Sequence, residues 1–283
     1  MKALYSGVSG MRSHQTKMDV IGNNIANVNT YGFKTQRTTF RDVYYQTLKS
    51  PGAPGEDRGG TNASQVGYGA QIGSIDTIHT ISGYSPTNKP TDIYINGDGY
   101  LAVMNSNGDT LYTRLGALHF DEQGNLADVN GSRVMGLDNE GDKNIITTPT
   151  KEELAGAGPI KIEGYENLKN ITINGDGSIT AVKDKDEIVT VGWIPVYNIP
   201  NQDALVLEGN SYYSRGNNAG EPTANIPGAG GTGALVTGGL EMSNVDLANE
   251  FSDMIITQRG FQANTKIISV VDQMLEELVN LKR

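Results

Sequence analysis

The strongest constraint on this chain is an apolar seven-residue repeat at each end, with a middle that lacks one. In the C-terminal segment 237–283, large apolar residues recur every seven positions, and two more continue the same helical stripe at the four-residue offset. They are Leu247, Phe251, Met254, Phe261, Ile268, Leu275 and Val279. A stripe of this kind favours a left-handed supercoil of the helix against another helix.

The start of this C-terminal helix is predicted at "SNVD" (Ser243 to Asp246), because its hydroxyl and carboxylate fit a capping box. A helix from there has about 38 residues and a length of about 57 Å. That length is more than a small globular core can cover.

The N-terminal segment 1–30 carries a weaker form of the repeat. Gly7 and His14 occupy two partner positions of the seam, and Gly7 and Gly10 predict frayed first turns of the helix. The second half of the seam is fully apolar. The residues predicted to pack in this segment are Leu4, Met11, Met18, Ile21, Ile25 and Val28.

Two packing arrangements are compatible with these stripes. The terminal helices can form an ordinary intramolecular hairpin, or they can pack between subunits. The weak first seam and the long second helix leave an apolar stripe that one partner does not fully cover. The pattern therefore favours packing between subunits.

The stretch "DVIGNNIANVNTYGFK" (Asp19 to Lys34) holds several poor helix formers. On a helical wheel Asn23 and Asn27 lie roughly opposite the apolar side, and Asn24 lies on a flank. Each asparagine costs about 0.5 kcal/mol of helix propensity relative to alanine. We expect their amides either to hydrogen-bond neighbouring subunits or to face water, and we expect Gly32 to end the helix.

The middle of the chain reads as short strands and turns. "IYINGDGYLAV" and "ITINGDGSITAV" share an "INGDG" core, which predicts two similar hairpins with type I′ turns rather than calcium loops. The predicted fold class is α+β, with paired terminal coiled-coil helices and an inserted β-rich domain of short strands and hairpins. The predicted divisions are an N-terminal helical half 1–30, a Gly/Pro-rich linker 31–71, a β-rich outer domain 72–236 and a C-terminal helical half 237–283.

The net charge of −10 argues against binding to nucleic acid or to an anionic membrane. No apolar run is long enough for a membrane span. The absence of cysteine excludes disulfides and thiol catalysis. The first residues lack the apolar stretch of a secretory signal peptide, which indicates either the cytoplasm or export by another route.

No motif in the chain predicts catalysis, a cofactor or a metal. A formal G-x-G-x-x-G run lacks the preceding strand and the following helix of a dinucleotide site, and three Asn-x-Ser/Thr triplets carry no indication of glycosylation. The acidic stretch "LDNEGDKN" (Leu137 to Asn144) reads as a solvated loop. The histidines form no metal or catalytic pattern. The residues concerned are Gly228, Gly230, Gly233, Asn62, Asn130, Asn170, His14, His79 and His119.

Both ends resemble one family. The segment Leu4 to Phe40, with "GNNIANVNTYGFK", is similar to the N-terminal signature of bacterial flagellar axial proteins, the rod and hook subunits. Gly238 to Arg283, with "GGLEMSNVDLANEF", is similar to their C-terminal signature. "TDIYINGDGYLAV" and "YTRLGALHFDEQGNLAD" resemble their β-domain motifs. The polar residues that the resemblance singles out are Asn23, Asn24, Asn27, Gly32, Gln258, Arg259 and Asn264.

The resemblance implies a subunit that self-associates into a helical tube, with the terminal helices lining the tube and the β domain outside. It implies no enzymatic activity and no cofactor. Its implied partners are other flagellar axial proteins (distal rod, hook-associated proteins and hook cap) and the flagellar type III export apparatus. The implied location is the basal body and hook at the cell surface, reached without a cleaved signal peptide.

Within the family, "GFQANTKIISVVDQMLEELVNLKR" and "GGTNASQVGYG" resemble hook subunits, whereas "YYQTLKSPGAPG" resembles rod subunits. We therefore expect a hook subunit, the flexible joint between rod and filament, with the distal rod protein as the alternative. A secreted β-rich adhesin is an alternative from a different class. Segment 143–181 is the place where we expect a small insertion.

Overall fold

The computed structural model describes residues 2–55, 59–138, 149–150, 153–154, 156–162, 164–183 and 187–281. The described chain has a long helix at each end and short strands between them, which confirms the α+β class. It divides into two compact units. Unit 1 comprises Met1–Asn27, Thr35–Ile78 and Val245–Arg283, and unit 2 comprises Val28–Lys34 and His79–Asn244.

Unit 1 contains both long helices and four strands. Helix α1 spans Lys2–Ala26 and helix α2 spans Leu247–Asn280. The strands are β1 Gln36–Asp42, β2 Tyr45–Lys49, β3 Ser64–Gly67 and β4 Ala70–Thr77. β1 pairs antiparallel with β4, and β2 pairs antiparallel with β3.

The structure differs from the linker predicted for 31–71. Strands β1, β2 and β3 all lie inside that segment. Thr38, Thr39 and Phe40 have high β propensity, and pairing with β4 satisfies their backbone groups, so the glycines and prolines further along did not decide the local structure.

Helix α2 begins later than the predicted capping box. Its N-cap is Asp246, whose carboxylate accepts hydrogen bonds from the backbone N–H groups of Ala248 at 2.9 Å and Asn249 at 3.3 Å. The prediction of Ser243 as the cap is wrong, and its carbonyl instead accepts a hydrogen bond from the Ser82 hydroxyl at 2.8 Å. With 34 residues, α2 is about 51 Å long.

Unit 2 contains the remaining strands and two short 3-10 turns, at Tyr165–Asn167 and Gln202–Ala204. Its strands are β5 Tyr84–Pro86, β6 Ile93–Asn96, β7 Leu101–Met104, β8 Thr110–Thr113, β9 Leu118–Phe120, β10 Leu126–Asp128, β11 Arg133–Asp138, β12 Gly158–Pro159, β13 Leu168–Ile173, β14 Ser178–Lys183, β15 Glu187–Trp193, β16 Val196–Asn198, β17 Leu205–Gly209, β18 Tyr212–Arg215, β19 Thr223–Asn225, β20 Ala234–Thr237 and β21 Gly239–Glu241.

The centre of unit 2 is an 11-stranded antiparallel sheet. Its main path runs β13–β14–β15–β11–β7–β8–β18–β17, with β10 and β12 paired to β11 and β9 paired to β10. Two-stranded ladders are formed by β16 with β19, β20 with β6, and β21 with β5.

The larger core cluster of unit 2 is mainly aliphatic. Among its fully buried members are Leu101, Val103, Leu118, Leu126, Val134 and Val196. The described part of segment 143–181 belongs to this core through Ile160, Ile173 and Ile179, and the small insertion expected in that segment stays a prediction. Of the acidic stretch "LDNEGDKN", only 137–138 are described, at the end of β11, and the rest lies outside the described residues.

Four loops of unit 2 share one hydrogen-bond pattern: the N–H of a glycine at position four donates to the carbonyl of an Asn or Asp at position one. The N–H of that first residue donates to the carbonyl at position five. The glycine φ values are 81–87°, so each loop is a type I turn followed by a glycine bulge. The loops are Asn105–Asp109, Asp121–Asn125, Asp128–Ser132 and Asn174–Ser178.

The two "INGDG" copies adopt different structures, which corrects the prediction of two type I′ hairpins. The second copy ends in the Asn174–Ser178 loop, where only Gly177 is left-handed. The first copy is not a hairpin, because β6 pairs with β20 while β7 pairs with β8. There Gly97 lies so close to Gly233 that a Cβ at position 97 would be 2.5 Å from the Gly233 Cα.

Candidate functional site

Helices α1 and α2 pack against each other in unit 1 with opposite chain directions. Lys17 Nζ lies 3.2 Å from the Asp253 carboxylate, and further along the Thr265 hydroxyl lies 3.7 Å from the Met11 sulfur. The residue number falls on one helix as it rises on the other, so the helices run antiparallel.

Small residues allow this close approach. A Cβ at Gly10 would lie 2.9 Å from Asn264 Oδ1, and a Cβ at Gly260 would lie 2.7 Å from the His14 ring. The predicted fraying at Gly7 and Gly10 is wrong, since α1 begins at Lys2 and Gly7 is buried. Gly7 and His14, which look weak as a hydrophobic seam, are thus points of close contact between the helices.

Asn24 is a buried internal clamp. Its amide donates to the Gln36 carbonyl at 2.9 Å and to Glu250 Oε1 at 3.0 Å, and its own oxygen accepts from the Gln36 N–H at 3.0 Å. Burial raises the pKa of Glu250, and the Asn24 and Thr35 hydrogen bonds oppose that shift. The prediction that the Asn24 amide hydrogen-bonds a neighbouring subunit is therefore wrong.

The other two asparagines are placed differently. Asn23 is exposed, and the Asn27 amide donates to the Asn23 carbonyl at 2.9 Å and to its side-chain oxygen at 3.0 Å. Helix α1 ends at Ala26, so Val28 lies beyond the helix on which it was predicted to pack. Gly32 does not end α1 either.

Gly32 serves a turn inside unit 2. Its φ is +70°, its N–H donates to the Glu241 carbonyl at 2.9 Å, and a Cβ there would be 3.2 Å from the Arg114 backbone. The glycine is needed for the close approach of these backbones and not for a helix terminus.

The predicted packing residues of α1 are unevenly covered. Ile21 is buried, together with Val20, which the heptad pattern did not select. The others retain partial exposure: Leu4, Met11, Met18, Ile25 and, beyond the helix, Val28.

The predicted stripe of α2 is only partly covered within the chain. Met254, Phe261 and Ile268 are half-buried, whereas the four residues nearer the helix ends are exposed. Those exposed positions are Leu247, Phe251, Leu275 and Val279. On the described part of α2 the fully buried side chain is Thr257, a polar residue that the heptad pattern did not predict.

Helix α2 exposes further apolar side chains on other faces. Ile255 and Ile256 are 60% and 64% exposed, and Leu278 is 62% exposed. Further exposed apolar residues on this helix are Ile267, Val270 and Met274. This many exposed large apolar side chains along one helix indicate an interaction site.

The polar family residues of α2 are mostly at the surface. Gln258 and Arg259 are exposed, and Arg259 Nη1 donates to Gln262 Oε1 at 3.1 Å. Asn264 is half-buried, and its amide donates to the Gly260 carbonyl at 2.9 Å.

The three histidines lie in different parts of the structure. His14 lies on α1, and burial lowers its pKa; His119 is exposed on β9. Burial also lowers the pKa of His79, to about 4, and its Nδ1 is 2.7 Å from the Tyr100 hydroxyl. Within the described ranges no group of three or more His, Asp and Glu side chains is arranged to hold a metal ion.

The glycine run at 228–233 forms a series of turns after β19, with no helix following it. This arrangement lacks the helix N-terminus that a dinucleotide site requires. In the part of the chain that the structure describes, no helix has the length and apolarity to cross a membrane.

Three family models match the chain. "Flagella basal body rod protein" matches residues 4–34, "Flagellar hook protein FlgE/F/G D1 domain" matches 94–181, and "Flagellar basal body rod FlgEFG protein C-terminal" matches 236–281.

Full-length relatives carry the same names. The chain is 43% identical to the flagellar basal-body rod protein FlgG of Bacillus subtilis over 284 positions, which span 100% of both chains. It is 34% identical to FlgG of Borreliella burgdorferi over 286 positions, covering 100% of this chain and 99% of the relative. It is 29% identical to the flagellar hook protein FlgE of the same organism over 441 positions, which span 100% of both.

These matches and the incompletely covered terminal helices define a structural axial protein of the bacterial flagellum, not an enzyme. The chain belongs to the flagellar rod and hook family. Membership implies self-assembly, association with other flagellar components and a place in the basal body, rod or hook.

Proposed function

We propose that this chain is a distal rod subunit of the flagellar basal body. The observation that supports it most is the alignment with rod proteins: 43% identity over 284 positions, for a chain of 283 residues. The alignment needs almost no insertion in either chain, so the two chains match in length along the whole alignment.

The sequence-based preference for a hook subunit has weaker support. Two hook relatives are 29% and 27% identical over 441 and 463 positions, so each carries a long additional segment. The distal rod alternative is therefore the one we now favour.

In this proposal the subunits assemble through the apolar surface that a single chain leaves exposed. The helices α1 and α2 act as a coiled coil, and neighbouring copies cover exposed residues such as Phe251, Ile256 and Leu278. Full burial of one such side chain is worth about 1.5–3 kcal/mol, so a few per interface hold a polymer together. In the resulting tube the helices line the channel, and subunits arrive through the type III export apparatus.

Complementation separates the rod from the hook. The chain is expressed in Bacillus subtilis strains that lack either their FlgG rod protein or their hook protein, and basal bodies are purified for electron microscopy. A distal rod subunit restores rod completion and swimming in the first strain only. Rescue of the hook-deficient strain, with no rescue of the rod-deficient one, contradicts the proposal.

A second experiment tests the proposed assembly surface. Ile256→Asp places a charge at an exposed apolar site on α2, and Gln273→Asp places the same charge at an exposed polar site on the same helix. We expect Ile256→Asp to abolish rod assembly while the isolated chain keeps its circular dichroism, and Gln273→Asp to assemble. Equal assembly of both variants contradicts the assignment of this surface.

A further inference from the structure

Unit 2 buries a carboxylate between two cations. Glu241 Oε1 accepts hydrogen bonds from Lys34 Nζ at 2.6 Å and from Arg114 Nη1 at 3.1 Å. It also accepts one from the backbone N–H of Ser82 at 3.2 Å. The three charged side chains are at most 1% exposed.

The cations reach further backbone segments from the same place. Lys34 Nζ donates to the Thr80 carbonyl at 2.7 Å, and Arg114 Nη2 donates to the Gly97 carbonyl at 2.7 Å. Residues distant in the chain therefore converge on the Glu241 side chain. We call Lys34, Arg114 and Glu241 the ion node.

The ion node lies where the chain leaves and enters unit 2. The chain passes between the units after residues 27, 34, 78 and 244. Lys34 ends the first segment of unit 2, Thr80 and Ser82 begin the second, and Glu241 comes shortly before its end. The node thus holds the unit 2 side of three of these passages directly.

Backbone hydrogen bonds link the same segments. The Gly32 N–H donates to the Glu241 carbonyl at 2.9 Å, and the Met242 N–H donates to the Gly83 carbonyl at 2.9 Å. Each of the three charged residues also lies in a different family match: Lys34 in 4–34, Arg114 in 94–181 and Glu241 in 236–281.

On energetic grounds Glu241 is the residue on which the other two members of the ion node depend. Burying one carboxylate with two cations is tolerated only while each charge keeps its partners, and removing a partner from a buried pair is strongly destabilising. Burial lowers the pKa of Lys34, and the charge of Glu241 opposes that shift. Loss of Glu241 leaves both cations without their counter-ion, whereas loss of Lys34 leaves the Arg114–Glu241 pair intact.

We propose that Glu241 is a positioning residue that locks together the segments connecting unit 2 to unit 1. When the lock is removed, residues 28–34, 79–83 and 241–244 loosen together, while the sheet of unit 2 stays folded. This property resides in the single chain and does not depend on the proposed rod function.

Hydrogen exchange of the intact chain tests the lock. Three backbone amides report on the three segments: Gly32, Ser82 and Met242. In Glu241→Gln we expect all three to exchange about tenfold faster or more relative to the amides of β7, because local opening now precedes global unfolding. Arg37→Gln, which removes the exposed pair Arg37–Asp76, is the control and leaves the three rates unchanged.

Three outcomes of the Glu241→Gln experiment overturn the proposal. The first is faster exchange at Ser82 alone, which is the amide bonded directly to the lost carboxylate. The second is uniform acceleration that includes β7, which indicates a general loss of stability. The third is unchanged rates at all three amides.

Lys34→Met keeps the proposal testable if Glu241→Gln does not fold. It removes one cation but leaves the Arg114 and Ser82 bonds to Glu241. We expect faster exchange at Gly32 only, with Ser82 and Met242 close to their original rates. Equal acceleration of all three amides, or of none, contradicts the assignment of Glu241 as the shared anchor.

Discussion

The imidazole of His14 on α1 lies directly against Gly260 on α2, where an added Cβ would be 2.7 Å from the ring. The absence of a side chain at Gly260 is what lets the bulky ring fit between the helices. Asn264 occupies the same kind of space beside Gly10. This pairing of a small residue with a larger polar one, rather than an uninterrupted apolar seam, brings the helices together.

Gly260→Ala tests this contact. The added methyl group forces the His14 ring or the helix to move, and overpacking of this kind costs about 1–3 kcal/mol, which exceeds the gain in helix propensity. The matched control is Gly22→Ala on α1, because no atom lies within 4 Å of a Cβ there. We expect it to stabilise by about 0.5–1 kcal/mol. Thermal unfolding followed by helical circular dichroism measures both, and a stabilised Gly260→Ala contradicts the packing.

Asn24→Ala distinguishes an internal clamp from a subunit contact. The variant loses hydrogen bonds to Gln36 and Glu250 and leaves buried polar groups unpaired, which costs about 1–3 kcal/mol. Asn23→Ala, at an exposed neighbouring position, is expected to change stability by less than about 0.5 kcal/mol. Denaturant unfolding of the isolated chain gives the comparison. If the two variants have the same free energy of unfolding, the Asn24 contacts do not stabilise the chain and the prediction is contradicted.

His79 predicts a loss of stability in acid. Burial is the main cause of its lowered pKa of about 4, with Lys34 and Arg114 acting in the same direction and Asp203 opposing. The unfolded chain binds a proton near pH 6.5, whereas the folded chain does not. The contribution of His79 is therefore present above pH 6.5 and is lost as the pH falls towards 4.

The measurement is the free energy of unfolding at pH 7 and at pH 4.5, followed by the fluorescence of Trp193, which is buried in β15. Between these pH values, the wild type should lose about 2 kcal/mol more than His79→Gln. His119→Gln, at an exposed position on β9, is the control. Identical pH dependence in wild type and His79→Gln contradicts the prediction.

The repeated glycine turns allow a paired test of strain and space. Gly177 and Gly108 have φ values of 87° and 85°, so alanine is strained at both by about 1 kcal/mol. A Cβ at Gly177 would also lie 2.5 Å from the Ile194 carbonyl oxygen, whereas nothing lies within 4 Å at Gly108. Gly177→Ala should therefore cost at least about 1 kcal/mol more than Gly108→Ala in denaturant unfolding. Equal losses of stability in the two variants would show that the backbone angle alone determines the cost of alanine, and this would contradict the prediction.

Much of the fold class follows from local patterns. The seven-residue spacing from Leu247 to Leu275 predicts a long helix, and a helix does cover this range, because its backbone hydrogen bonds are all local. Alternating residues and Asx-Gly turns likewise predict a β-rich middle. The uncovered ends of the α2 stripe, at Phe251 and Val279, agree with the expectation that one partner does not fully cover it.

Which strands pair and which distant side chains meet does not follow from local patterns. Two identical "INGDG" segments differ because strand β6 before the first pairs with β20, which is more than 130 residues away, whereas strand β13 before the second pairs with its neighbour β14. Strand β1 was missed because its partner β4 lies beyond a Gly/Pro-rich stretch. No spacing signal connects Lys34, Arg114 and Glu241, which come from separate parts of the chain.

The sequence by itself therefore determined the helical ends, the β-rich middle and the resemblance to flagellar axial proteins, since each depends on near neighbours or on a recognisable run of residues. The tertiary structure alone decided that Asn24 faces inward, that Gly10 and Gly260 are contact points, and that Glu241 joins three chain segments. The physical reason is that burial and steric clearance depend on residues brought together from opposite ends of the chain. A helical wheel or a hairpin motif contains no information about that distant partner.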